Sequence, residues 1–219
     1  MARIKEMKRI VIVGTGGMGR ETWGLIDAIN QASSQWEFVG FYDDAFLESK
    51  EVIAGFKCLG TIAMLEAVEE ELAVAFGIAN RETVQNIVHS LSRKANFHFP
   101  NLIHPNVALG FGFEMGQGNM IASSCEFSCE VTIGDFNFFN GLCVAGHDVE
   151  VANFNCFMPR VQISGDVKIG SHNFMGMGSS IVQEKKVGDN NTIMSHSFLT
   201  KSIGNERKYF GIPAKRINI

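Results

Sequence analysis

"VTIGDFNFFNGLCVAGHDVEVANFNCF", residues 131–157, returns an apolar side chain at every sixth position: Ile133, Phe139, Ala145, Val151 and Phe157. Extended in both directions, the register runs from Ile103 to Leu199 and takes in seventeen consecutive apolar residues without an insertion. With half of residues apolar, chance gives such a run at odds of about one in 10⁵. The residue that follows is usually small, as at Gly110, Gly116, Ala122, Ser128, Gly134 and Gly146. A helix repeats its buried face at about 3.6 residues and a strand at about 2, so a period of six belongs to neither alone. An inward apolar side chain, a small residue and a polar corner, repeated in this way, predict a β-solenoid. Three hexads close one triangular coil, so the run predicts nearly six coils, roughly 27 Å tall at the usual strand spacing.

The first 95 residues follow a different grammar. "RIVIVG" (9–14), "WEFVGFYDD" (36–44) and "AVAFGIA" (73–79) read as strands, and "RETWGLIDAINQAS", "TIAMLEAVEEEL" and "RETVQNIVHSLSRK" read as helices between and after them. Strands alternating with helices of this length predict a parallel sheet with helices on its faces. The expected order is an α/β Rossmann-like domain over residues 1–96, an all-β solenoid over 97–204 and a C-terminal tail over 205–219.

Composition narrows the function classes. The chain has 219 residues, 46% of them apolar, which suffices for a sizeable core. Its net charge of −4 and the lack of a basic stripe argue against nucleic acid as a partner. No run approaches the ~18 apolar residues of a membrane span. Five cysteines without a CxxC motif fit a reducing, cytoplasmic compartment better than a disulfide framework. Neither histidines nor cysteines stand at metal-ligand spacing, so no catalytic metal is expected.

"VGTGGMGRE" sets Gly14, Gly16 and Gly19 in GxGxxG spacing between a strand and a helix. The first glycine allows the turn, the second lets a ligand approach the backbone, and the third packs helix on strand. The free N–H groups of the helix start, around Gly16, Gly17 and Met18, suit a diphosphate. Asp43 and Asp44 end the second strand, where a carboxylate would accept a ribose or sugar hydroxyl. Gly77, Asn80 and Arg81 follow the third strand at the same edge. A nicotinamide dinucleotide and a nucleotide-sugar are both open on these residues. With about three strands before the solenoid, half of a dinucleotide fold is in view, and that favours the mononucleotide.

The combination of "GTGGMG", "YDD", "FGIANR", "LIHPNVALG", the hexads, a His–acid pair and a terminal "GIPAKRI" resembles the bacterial sugar acetyltransferases of the sialic acid O-acetyltransferase (NeuD) type. That group includes enzymes that N-acetylate UDP-4-amino-sugars, and the resemblance covers essentially the whole chain. It implies a left-handed parallel β-helix, a homotrimer, and transfer of an acetyl group from acetyl-CoA to an amine or hydroxyl of a nucleotide-activated or sialic-acid-like sugar in surface glycan synthesis. The N-terminal domain would hold the nucleotide-sugar. The family's base is a histidine followed by an acid, beside a coenzyme A groove between subunits. This places the base on His147 and its acidic partner on Asp148. Imidazole titrates near neutrality and can take the proton of an attacking amine or hydroxyl, while a carboxylate orients the ring. Adjacent strand residues face opposite ways, so the pair requires a corner, which Gly146 would provide.

The resemblance further implies that the Gly165 N–H supports the acetyl oxygen. It places Cys156, Met177 and Ser195 along coenzyme A, and Lys215 and Arg216 near its phosphates. The chain departs from the family at two of these places. Cys156 stands where many relatives have a second histidine, and Met18 where they often have histidine. Both leave open a nucleotide-sugar-binding protein without catalysis, or a different donor or acceptor. His104, His172 and His196 are expected to be structural or surface residues.

Overall fold

The computed structural model describes residues 7–45 and 51–217. The chain divides into two compact units, Met1–Leu102 and Ile103–Ile219.

In the first unit, β1 (Lys8–Val13), α1 (Gly17–Ala32), β2 (Trp36–Tyr42), β3 (Glu51–Ile53), β4 (Phe56–Gly60), α2 (Ile62–Glu66), β5 (Leu72–Phe76), α3 (Arg81–Leu91) and β6 (Phe97–His98) follow one another. The sheet order is β3-β4-β2-β1-β5-β6. All pairings are parallel except the β3–β4 hairpin. The three strands expected from the sequence are the central β1, β2 and β5, with Ile10–Val13 wholly buried. The expectation of about three strands is corrected to six. β3 and β6 have only three and two residues, too few for alternation to carry much signal, while β4 equals β5 in length but is partly exposed. The helix expected over 61–72 is corrected to the five residues of α2. Glu69, Glu70 and Glu71 would put three like charges at a helix C-terminus, against its dipole. The Asn96 side chain instead takes the Val68 and Glu70 carbonyls at 3.0 and 2.9 Å.

The second unit is a left-handed parallel β-helix. Two-residue strands stack at a separation of 18 residues, as in Phe139↔Phe157 and Val151↔Ile169. They form three parallel sheets: one containing Phe138–Phe139 and Cys156–Phe157, one containing Val144–Ala145 and Gln162–Ile163, and one containing Glu150–Val151 and Lys168–Ile169. Strands Lys208–Phe210 and Lys215–Ile217 extend the first sheet. From Ile121 to Leu199 every sixth residue is buried. Leu109, in the first coil, is 43% exposed.

Every sixth residue from Gly112 to His196 has positive φ, and only Gly112, Gly118 and Gly178 among them are glycine. A non-glycine residue pays about 1–2 kcal/mol for that conformation. Bonds between coils offset it: the Asp148 N–H donates to the Cys129 carbonyl at 3.1 Å and the Asp166 N–H to the His147 carbonyl at 2.8 Å. Small residues beside the corners keep coils in contact. A Cβ on Gly176 would stand 2.4 Å from the Ser195 nitrogen.

Inside one corner runs a polar ladder. Asn119, Asn137, Asn155, Asn173 and Asn191 are at most 1% exposed. Each side-chain oxygen accepts the backbone N–H of the next asparagine at 2.8–2.9 Å, and that of Asn191 accepts from Arg207 at 3.1 Å.

Candidate active site

In the first unit the glycine loop lies between the ends of β1, β2 and β5. Gly14 has φ +105°, and a Cβ there would meet the Gly77 carbonyl oxygen at 2.7 Å. A Cβ on Gly19 would lie 2.0 Å from the Gly14 oxygen, so helix and loop touch through hydrogen alone. Gly16 and Gly17, by contrast, face open space. Gly16 caps α1 without a side-chain bond, and the first turn holds no acid. Among the described residues no side chain compensates the N–H groups there, as an anion site requires. The Met18 carbonyl accepts from the Thr22 hydroxyl at 2.8 Å.

The carboxylates expected to meet sugar hydroxyls are already engaged. Asp43 Oδ2 accepts the Thr15 N–H at 2.8 Å and the Thr15 hydroxyl at 2.7 Å, and Oδ1 accepts the Ala45 N–H at 3.0 Å. Burial raises the Asp43 pKa, but the bonds from Ala45 and Thr15 outweigh it and hold the group below its ordinary value. Asp44 Oδ1 accepts the Ile62 N–H at 2.9 Å. Asn80 caps α3, its oxygen accepting the Thr83 N–H at 3.0 Å. Arg81 is buried, with Nε donating to the Ala79 carbonyl at 3.1 Å. Thr15 escaped the sequence reading because the motif names only its glycines.

In the second unit His147 and Asp148 occupy the corner between the second and third sheets. His147 Nδ1 lies 2.7 Å from Asp148 Oδ2, with the side chains 61% and 59% exposed. The corner is real, but the residue that turns it is Asp148, at φ +56°, rather than Gly146. The imidazole lies over Gly165 in the next coil: a Cβ there would stand 2.4 Å from Nε2 and 2.6 Å from Cε1. The Gly165 carbonyl accepts from Glu184 at 3.0 Å, while its N–H makes none of the backbone bonds found among the described residues. With Nδ1 held by the carboxylate, Nε2 is free to take a proton beside an available N–H donor.

The pair opens on a groove of about 1190 Å³ along the outer face of the third sheet. Thr132, Glu150, Lys168 and Lys186 line it, at 18-residue intervals, with Gln183 at its edge. Lys168 Nζ donates to Glu150 Oε1 at 2.6 Å, and that bond raises the lysine pKa. The sequence reading missed these residues, although Thr132, Glu150, Lys168 and Lys186 each directly precede an inward apolar position.

One chain does not bring together every residue expected along coenzyme A. Cys156 is fully buried in the first sheet. Met177 and Ser195 lie at the corner between the first and second sheets, and Lys215 in the last strand. None of them lines the groove of His147. His172 stacks on Phe154 at 5.2 Å, His196 is an exposed corner residue, and His104 Nδ1 accepts the Asn106 N–H at 3.2 Å. Among the described residues no group of histidines, cysteines and acids could hold a metal ion, and no helix is long and apolar enough to cross a membrane.

Comparison with known proteins adds an independent line. Residues 9–91 match the family model of the PglD N-terminal domain. The matched stretch lies within the first unit. No curated protein matches the chain. Among solved structures, the acetyltransferase domain of PglB from Neisseria gonorrhoeae, determined with acetyl coenzyme A, is 22% identical with a TM-score of 0.86, over 97% of this chain and 100% of that one. WeeI from Acinetobacter baumannii is 21% identical with a TM-score of 0.85, over 97% and 100%. A histidine mutant of perosamine N-acetyltransferase from Caulobacter crescentus, with CoA and GDP-perosamine, is 18% identical with a TM-score of 0.85, over 98% and 99%. At these identities the likeness is one of fold, and it covers nearly all of the chain.

Proposed function

We propose that the protein is an acetyl-CoA-dependent acetyltransferase acting on an amine or hydroxyl of a nucleotide-activated sugar. The observation that carries the reading is His147, fixed by Asp148 at 2.7 Å and laid over Gly165 at the mouth of a groove. Nε2 takes the acceptor's proton as its nitrogen or oxygen attacks the thioester carbonyl. Asp148 stabilises the imidazolium that forms. The Gly165 N–H donates to the carbonyl oxygen while it carries negative charge. The carbon–sulfur bond then breaks, and the imidazolium returns the proton to the departing thiolate.

The fold relatives support the donor and the acceptor class: one is described with acetyl coenzyme A, another with CoA and GDP-perosamine. The first unit, similar over residues 9–91 to the PglD N-terminal domain and with an open Gly16–Gly17 turn, is the unit that takes the nucleotide-sugar. Since Met177, Ser195 and Lys215 sit away from the groove of their own chain, their proposed contacts to coenzyme A call for a second subunit, in keeping with a cytoplasmic homotrimer; Cys156, wholly buried within its own chain, makes no such contact. The test is release of free thiol from acetyl-CoA in the presence of UDP-amino-sugars, GDP-amino-sugars or sialic acid. Turnover with one of them is expected; absence of acetyl-CoA binding contradicts the reading and leaves a sugar-nucleotide-binding protein.

A further inference from the structure

The end of β2 in a nucleotide-binding α/β unit is where a carboxylate meets ribose hydroxyls. Asp43 stands there, yet three N–H and O–H donors of this chain already point at it. Its backbone is fixed as well, since its own N–H donates to the Gly60 carbonyl at 2.9 Å. On the other side of the contact is the segment that needs a tie. Gly14 is anchored by its N–H on the Tyr42 carbonyl at 2.8 Å and by close contact with Gly77, and Gly19 is anchored on Gly14. Between these anchors a Cβ on Gly16 or Gly17 would meet nothing within 4 Å, and no side chain caps the helix. Consecutive glycines, with no side chain to pack, leave such a turn more conformational freedom than other residues would. The two bonds from Thr15 to one carboxylate oxygen tie this turn to the end of β2.

We infer that Asp43 is a positioning residue: through Thr15 it holds the glycine turn so that the first N–H groups of α1 face the diphosphate of a nucleotide ligand. Thr15 is the second half of the device, its hydroxyl and N–H sharing Oδ2. This rests on the reading that the first unit binds a nucleotide, and it predicts how that binding depends on two residues that need not touch the sugar. A carboxylate acting on the ribose would make Asp43 important and the Thr15 hydroxyl indifferent. A carboxylate acting on the loop makes both matter, in order of the bonds removed.

The experiment is calorimetric titration of the full chain with GDP, with UDP and with the dideoxyribose analogues of both. Wild-type protein is expected to bind at least one of the diphosphates. Asp43→Ala, which removes all the bonds, should weaken binding more than about tenfold, and Thr15→Val, which removes one, by about threefold to tenfold. Thr15→Ser keeps the hydroxyl and should stay within about twofold of wild type. The Asp43→Ala loss should be the same with the dideoxyribose analogues, and acetyl-CoA affinity should be unchanged in every variant. Three results would overturn the inference: Thr15→Val binding as wild type, an Asp43→Ala loss that vanishes when the ribose hydroxyls are absent, or a wild-type chain that binds neither diphosphate. Because nucleotide binding is read without acetyl transfer, failure of the transferase reading leaves this outcome legible.

Discussion

His147 and Asp148 are consecutive, yet the imidazole Nδ1 and the carboxylate Oδ2 lie 2.7 Å apart. Strand geometry would point them to opposite faces; the left-handed φ of Asp148, +56°, folds its side chain back onto its neighbour. Asp148→Asn keeps shape and tolerates that φ, but cannot stabilise an imidazolium by charge. We expect kcat to fall on the order of 10²–10⁴-fold with an unchanged acetyl-CoA Kd. Steady-state kinetics with titration of the donor checks both numbers.

Gly165 lies against the imidazole, and its φ is outside the left-handed region, so alanine is tolerated by the backbone. The added Cβ would nevertheless sit 2.4 Å from Nε2 and force the ring aside. Gly165→Ala is expected to lower kcat by about 10²-fold, as a misplacement near 1 Å does, while circular dichroism and the thermal midpoint stay close to wild type.

The asparagine ladder sets the strongest prediction about stability. Asn155 is wholly buried and accepts the Asn173 N–H at 2.8 Å, while its own N–H donates to Asn137 Oδ1 at 2.9 Å. Asn155→Ala orphans the buried Asn173 N–H and leaves a gap, costing about 3 kcal/mol. The exposed Glu126→Ala in the same solenoid should change stability by less than about 0.5 kcal/mol. Chemical denaturation of the two variants measures the difference.

The ladder also shows where the sequence ran out. The inward apolar residues repeat every six positions, a period visible along the chain, whereas the asparagines repeat every 18 because they belong to one corner of three. Asked only whether a hexad position is apolar, the sequence hides them. The corners were legible as polar but their left-handed backbone was not: residues such as Phe136, Leu142 and Phe154 adopt positive φ without glycine, and nothing in their side chains announces it. The contact of His147 with Asp148, expected through resemblance, follows from the corner, but the groove beside them depends on residues one coil apart. Asp43 shows the opposite error. Its place after β2 was read correctly, and its engagement by Thr15 depended on a hydrogen bond that the motif does not encode.

That engagement has a pH signature. The bonds from Ala45 and Thr15, winning over burial, hold the Asp43 pKa below 3.8 in the folded chain. A depressed carboxylate pKa stabilises the fold fully above the unfolded value and loses that contribution as pH falls through the folded one. The stability difference between wild type and Asp43→Ala should thus be constant from neutrality down to mildly acidic pH and narrow only below 3.8. Urea midpoints of the two proteins against pH test this; a gap that closes near neutrality would contradict it.

The most direct test is the turnover of His147→Ala with the best acceptor found in the thiol-release assay. The account predicts a kcat lower by at least about 10²-fold, the usual worth of a positioned general base, with acetyl-CoA binding retained. A variant that turns over at the wild-type rate would show that His147 is not the base and that the chemistry lies elsewhere.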